Sequence, residues 1–151
     1  MTTMPTREER LAQVTAELEA LEARMPEYEQ AQARLERNRL GRLVVQHGGA
    51  RDEAREFAEQ LELRVGLAEP DSPERARYQA ELDKQRETLA REEAATLEAL
   101  ASGGFASEGE ARAARLSVGD IEALEHQVNL FAERYNATLQ RYVDLGGEIE
   151  G

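Results

Sequence analysis

The stretch Gly103–Tyr142 reads GGFASEGEARAARLSVGDIEALEHQVNLFAERYNATLQRY, and its second half decides the fold. Ile121, Leu124, Val128, Phe131, Tyr135, Thr138 and Tyr142, followed by Leu145, recur at alternating steps of three and four. That is the a/d rhythm of a helix that buries one narrow seam and solvates the rest of its surface. Ser117, with Asp120 three residues on, supplies an N-cap, so the spacing predicts a helix from Val118 to about Leu145, ~40 Å long. Gly146 and Gly147 close it. In the first half, Ser102-Gly103-Gly104 ends a preceding helix, and Ser107-x-x-Glu110 is a capping box that opens a short helix lasting to about Arg115. Gly103, Gly104, Phe105, Ser107 and Ser117 thus read as a structured joint. Phe105 is its apolar anchor, docking the break against a neighbouring helix.

Toward the N-terminus the same rhythm returns. Thr6-x-x-Glu9, directly after Pro5, has capping-box spacing, and apolar residues follow at Leu11, Val14, Leu18, Leu21, Met25, Tyr28 and Leu35. Gln32 occupies one seam position and weakens it. Pro26 falls inside the pattern, where it removes a backbone hydrogen bond, so the helix expected over about 6–46 bends or breaks there. Leu11, Val14, Leu18 and Leu21, together with Ile121, Leu124, Val128, Phe131 and Tyr135, form the expected association seams.

Leu40, Leu43, Val44 and Val45 lead to His47, Gly48 and Gly49. Two adjacent glycines after an apolar run terminate helices, so a hairpin turn is expected near 47–50. A second helix then starts near Arg51 or Asp52, with Ala54, Phe57, Leu61 and Val65 on one face. An unbroken helix with a local defect at the glycines is the rival reading. Ala68–Pro73 reads AEPDSP. Pro70 stops the preceding helix, Asp71 or Ser72 can cap the next, and Pro73 fits its first turn, leaving a turn or a kink. The helix expected over about 73–101 carries Tyr78, Leu82, Leu89, Leu97 and Leu100, a thinner seam. The chain divides on this reading into a hairpin-like segment 1–67, a proline-rich turn 68–73 and a coiled-coil segment 74–151. The fold class is all-α: an extended antiparallel helical hairpin or coiled coil with a short helix-break joint.

Composition agrees. Charged residues make up 33% of the 151 residues and aromatics 5%, with no tryptophan, the bias of long solvated helices rather than a compact globule. The formal net charge is -12. Residues 1–50 hold seven basic and eight acidic side chains, whereas 51–151 hold twelve and twenty-three. An acidic surface repels phosphate, so direct DNA binding is not expected of the C-terminal two-thirds. Arg34, Arg37, Arg39 and Arg42, diluted only by Glu36, are the local exception and read as a solvated helix face. There is no cysteine, which excludes disulfides and thiolate metal sites. No apolar run approaches the ~20 residues of a membrane span, and the N-terminus lacks the apolar core of a secretory signal, so a cytoplasmic location is expected.

Catalytic patterns are not found. Lys84 is the single lysine and belongs to no glycine-rich phosphate loop. His47 reads as topping a helix C-terminus and His126 as a solvated outward position; neither has a Glu three residues before it, as a bundle metal site requires. Glu8–Glu9 and Glu92–Glu93 read as solubilising charges, and Tyr135 and Tyr142 as seam packing. No catalytic residue, cofactor or metal ligand is expected.

The run Gly104-Phe105-Ala-Ser107-x-x-Glu110-Ala111-x-x-Ala114-x-Leu116-Ser117-x-x-Asp120-Ile121-Glu122-x-Leu124-Glu125, continued by Val128-Asn129-Leu130-Phe131, resembles the SbcC family. Those proteins are SMC-like subunits of an ATP-dependent nuclease that repairs DNA double-strand breaks. The resemblance covers about forty residues of the coiled-coil arm that follows the family's zinc hook. It implies a spacer or bridging arm segment, a helical partner or homo-oligomer through the seams, and assembly with an SbcD-type nuclease. The ATPase heads at the family's chain ends and the Cys-x-x-Cys hook at the coil tip have no counterpart here, so the resemblance implies an arm fragment, a truncated reading frame or a stand-alone relative. It carries over no catalytic or metal-binding residue. The alternative is a stand-alone, self-associating helical scaffold or chaperone-like adaptor.

Overall fold

A computed structural model describes residues 4–147. The protein is all-α: α1 (Arg7–Ala23), α2 (Met25–Leu67), α3 (Pro73–Gly103), α4 (Glu108–Ala113) and α5 (Val118–Asp144), with no strand among the described residues. The chain forms two compact units. Among the described residues, one comprises 4–35 and 116–147; the other comprises Glu36–Arg115. The long helix α2 contributes to both.

In the first unit α1 packs against α5. The partners run in opposite senses: Arg7 donates through Nε to the Leu145 carbonyl (3.1 Å), Glu17 pairs with Arg141 (2.8 Å), and Tyr28 stacks on Phe131 with centroids 4.7 Å apart. The pair is antiparallel. Thr6 caps α1 by accepting from the Glu9 amide, and Ser117 caps α5 by accepting from the Asp120 amide, as their spacing predicts. The interruption expected near Pro26 is a single residue, Arg24, whose carbonyl accepts from the amides of Glu27 and Tyr28. Pro26 becomes the second residue of α2, where a missing N–H leaves nothing unbonded. Gly146 ends α5 at φ 86°, with the Gly147 amide bonded back to the Tyr142 carbonyl.

In the second unit α2 and α3 form an antiparallel hairpin. Arg64 lies over the Tyr78 ring, Glu62 pairs with Arg86 (2.9 Å), Arg55 with Glu93 (3.2 Å) and His47 with Glu92 (2.6 Å). The turn is Ala68–Ser72: Asp71 takes the left-handed conformation (φ 62°), and Ser72, not Asp71, caps α3 by accepting from the Arg75 amide.

The turn expected at Gly48–Gly49 does not occur, because α2 passes through both glycines without interruption. Each glycine costs a helix about 1 kcal/mol relative to alanine, a sum that packing along a 43-residue helix outweighs. Gly48 also has a packing reason. A Cβ there would lie 2.6 Å from Oε1 of Glu108, which is paired with Arg51.

The buried face of this hairpin also differs from the apolar spacing. On α2 the buried or half-buried positions run Val44, His47, Arg51, Ala54, Ala58, Leu61 and Val65; Phe57, expected inside, is half exposed. On α3 they run Tyr78, Leu82, Gln85, Leu89, Glu92, Thr96 and Ala99, while Leu97 is 67% exposed. Both are unbroken three–four heptads, but small and polar residues fill positions where large apolar ones were sought.

Candidate functional site: the capped joint and the helix seams

The joint is assembled from local signals that all agree. α3 ends in a Schellman motif: Gly104 is left-handed (φ 64°), its amide bonds to the Ala101 carbonyl (3.1 Å), and the Phe105 amide reaches the Leu100 carbonyl (3.0 Å). Phe105 then turns inward and is 8% exposed, in a cluster with Val44, Ala99 and Ala111 bordered by Leu40, Leu43, Leu100 and Ala114. A Cβ on Gly103 would collide with the Phe105 ring, so this position has to be glycine for the ring to fold back. Ser107 caps α4 by accepting from the Glu110 amide (3.1 Å), while the Glu110 carboxylate accepts from the Ala106 amide (3.2 Å) and from Arg37 (2.8 Å). The Arg37 guanidinium sits 4.9 Å over the Phe105 ring.

Two further contacts hold α4 on α2. Gly41 lets the helices approach until an added Cβ would stand 2.5 Å from the Ala111 carbonyl oxygen, and Ala111 is fully buried. Arg51 grips Glu108 with both terminal nitrogens (3.0 and 2.9 Å). The hydrogen bonds it donates to Glu108 raise the Arg51 pKa above its ordinary value, against the opposing effect of burial. One turn back along α2, His47 Nδ1 lies 2.6 Å from Glu92 Oε2. His47 is therefore a mid-helix seam residue and not the top of a helix C-terminus, and Glu92 is its partner rather than a solvated charge. Glu93 faces outward to Arg55.

The predicted seams of the first unit face each other. Val14 (1%), Leu18 and Leu124 are buried, and Leu11, Leu21, Ile121, Val128, Phe131 and Tyr135 are half-buried. Phe131 and Tyr135 extend the stack begun by Tyr28, with centroids 6.1 Å apart. Ala31 is buried in place of Gln32, which points out and donates to the Tyr28 hydroxyl. In the basic cluster, Arg37 pairs with Glu110, Arg39 with Glu36, and Arg42 donates to Asn38. Three of its four guanidiniums are therefore engaged inside the protein. The Arg39 hydrogen bond holds the Glu36 carboxyl below the usual glutamate range.

Among the described residues no group of three or more His, Cys, Asp or Glu side chains could hold a metal ion, and no helix is long and apolar enough to cross a membrane. The joint and the α1–α5 seam were legible from cap spacing and heptads. The His47–Glu92 and Arg51–Glu108 pairs were missed; extending the α2 heptad through Gly48 would have placed His47 and Arg51 on the seam. Set against models of protein families, curated proteins and solved structures, the chain matches none of them.

Proposed function

We propose that the chain is a non-catalytic coiled-coil element of the SbcC type, a spacer or bridge in the arm of an ATP-dependent nuclease assembly for DNA double-strand-break repair, working in the cytoplasm with an SbcD-type nuclease as the assembly's partner. The observation that supports this is the joint. The residues that carry the resemblance have mechanical roles there. Gly104 stops α3, Phe105 anchors the break, Ser107 and Glu110 open α4, and Ser117 and Asp120 restart α5. A helix break fixed by caps at a set place in the chain is what a spacer of defined geometry needs.

An arm segment must also enter and leave at one end. Arg7 at the start of α1 bonds the Leu145 carbonyl at the end of α5, so the two helix ends of the first unit lie together. The test uses that geometry. Residues 4–147 are grafted in place of the corresponding arm segment of an SbcC-type subunit, and nuclease activity on linear duplex DNA is measured with the SbcD-type partner and ATP. Activity retained by the graft, and lost when Phe105→Asp is added, is the expected result. A graft that keeps ATP hydrolysis but loses nuclease activity, with or without Phe105→Asp, would sink the proposal.

The second reading, a stand-alone self-associating scaffold, is favoured by one observation: Phe57, Leu63 and Leu67 are 50%, 68% and 87% exposed within three turns of α2.

A further inference from the structure

In the first unit, one rung of the α1–α5 pairing breaks the rule of opposite charges. Glu17 and Arg141 pair across it at 2.8 Å. Seven residues further along from each, in the opposite senses of an antiparallel pair, stand Arg24 at the end of α1 and Arg134 on α5. Both are exposed, and both border one surface groove of about 410 Å³ between the two helices. Like charges on one rung repel, so the placement gives nothing to the fold. Nor does the protein neutralise it. Arg24 has one ion pair, to Glu27 at 3.5 Å and exposed at both ends, and Arg134 has no ion pair or hydrogen bond among the described residues.

The groove opens because Ala20 and Ala137, between the two rungs, are too short to fill it, and Leu21 lines it beside them. Thr138 borders it as well. That residue is 7% exposed, and its hydroxyl has no hydrogen-bond partner among the described residues, whereas Thr15 and Thr96 each bond back to the carbonyl four residues before. No occluded side-chain oxygen among the described residues lacks a partner, so the Thr138 hydroxyl is open to the groove. A mostly apolar hollow of this volume with a few polar groups at its edge has the make-up of a small-molecule site.

We propose that this groove binds a single-chain anionic amphiphile, a carboxylate or phosphate monoester carrying a hydrocarbon tail. The head lies between the Arg24 and Arg134 guanidiniums, whose planar forks match either kind of oxygen pair. The tail covers Leu21, Ala20 and Ala137, and Thr138 adds one neutral hydrogen bond. Glu17 is engaged by Arg141, so Arg24 and Arg134 face only Glu27 as an uncommitted carboxylate. In a chain of net charge -12 the anion is held by these local contacts and not drawn by the overall field.

The site does not rest on the spacer reading, and its test is binding alone, so either can fail without the other. Isothermal titration calorimetry of the full chain with decanoate should give one site with a Kd on the order of 0.1–1 mM. Decyl phosphate presents the other head, and the tighter of the two identifies which one the site takes. Acetate and inorganic phosphate, which are heads without tails, should bind at least about tenfold more weakly. Decyltrimethylammonium, the same tail with a positive head, should not bind. Arg24→Gln and Arg134→Gln, at exposed positions where helicity by circular dichroism stays unchanged, should each weaken binding about fivefold or more. Ala137→Leu, which fills the groove, should weaken it about tenfold, and Arg91→Gln, an exposed arginine on α3, should leave it unchanged. The proposal is overturned if neither amphiphile binds up to about 5 mM, or if decyltrimethylammonium binds as tightly. Binding that survives Arg134→Gln or Ala137→Leu, or falls equally in Arg91→Gln, overturns it too. So does capture by anionic phospholipid vesicles without binding of the free amphiphiles, which would make the arginine pair a membrane contact.

Discussion

Gly41 and Gly49 lie eight residues apart in one helix and have opposite reasons to be there. At Gly41 the carbonyl of Ala111 occupies the space a side chain would need, so Gly41→Ala must push α4 off α2. The expected cost is about 1–3 kcal/mol of stability, the range for overpacking a fitted contact, read as a lower urea midpoint. At Gly49 nothing lies within 4 Å, and the backbone is ordinary helix. Gly49→Ala should raise stability by about 0.5–1 kcal/mol through helix propensity alone. If both substitutions move the midpoint the same way, the α4 docking described above is wrong. Glu36 gives a second test at this scale. Arg39 hydrogen-bonds its carboxylate and lowers its pKa, so the pair's contribution is present above the usual glutamate value and fades as pH falls through the lowered one. An NMR titration of the Glu36 carboxyl should show a midpoint below the usual value, returning to it in Arg39→Gln.

Among the elements, α5 and α3 show why one seam was legible and the other was not. The α5 heptad is written in Ile, Leu, Val, Phe and Tyr, and the structure places Leu124 inside and Ile121, Val128, Phe131 and Tyr135 half inside, with Phe131 stacked on Tyr28 at the start of α2. Leu124→Asp would put a charge on that buried face with no partner, weakening the packing that holds α5 in the first unit. Hydrogen exchange should then lose protection along α1 and α5 while α3 keeps its own; equal protection in both would mean the seam is misplaced. The α3 heptad holds Gln85, Glu92, Thr96 and Ala99, and the Thr96 hydroxyl bonds back to the Glu92 carbonyl. A search for large apolar residues picks Leu97 instead, one position off the seam. Two helices that approach closely take small residues at the contact, and a polar residue is tolerated there when the facing helix supplies its partner, as His47 does for Glu92.

For the whole molecule, charge sets the balance. The ten ion pairs between described residues are mostly exposed at both ends, so each contributes little and salt screens it. A net charge of -12 opposes the folded state at every separation, and salt screens that as well. The repulsion should outweigh the exposed pairs. Raising sodium chloride from low concentration to about 0.3 M is expected to raise the melting temperature by about 2–4 °C, and a fall would show that the ion pairs dominate. Spacing in the sequence suffices for the all-α class, the caps at Thr6, Ser107 and Ser117, the joint and the α1 and α5 heptads. Each of these rests on residues within one or two turns of one another, where spacing alone brings groups into contact. Tertiary packing settles that α2 runs on through Gly48 and Gly49, that Ser72 rather than Asp71 caps α3, that His47 and Arg51 find carboxylates on α3 and α4, and that Phe57 and Leu97 face water. Those outcomes depend on what a facing helix presents, since a break, a buried charge or an exposed ring is favourable or costly only relative to the surface packed against it.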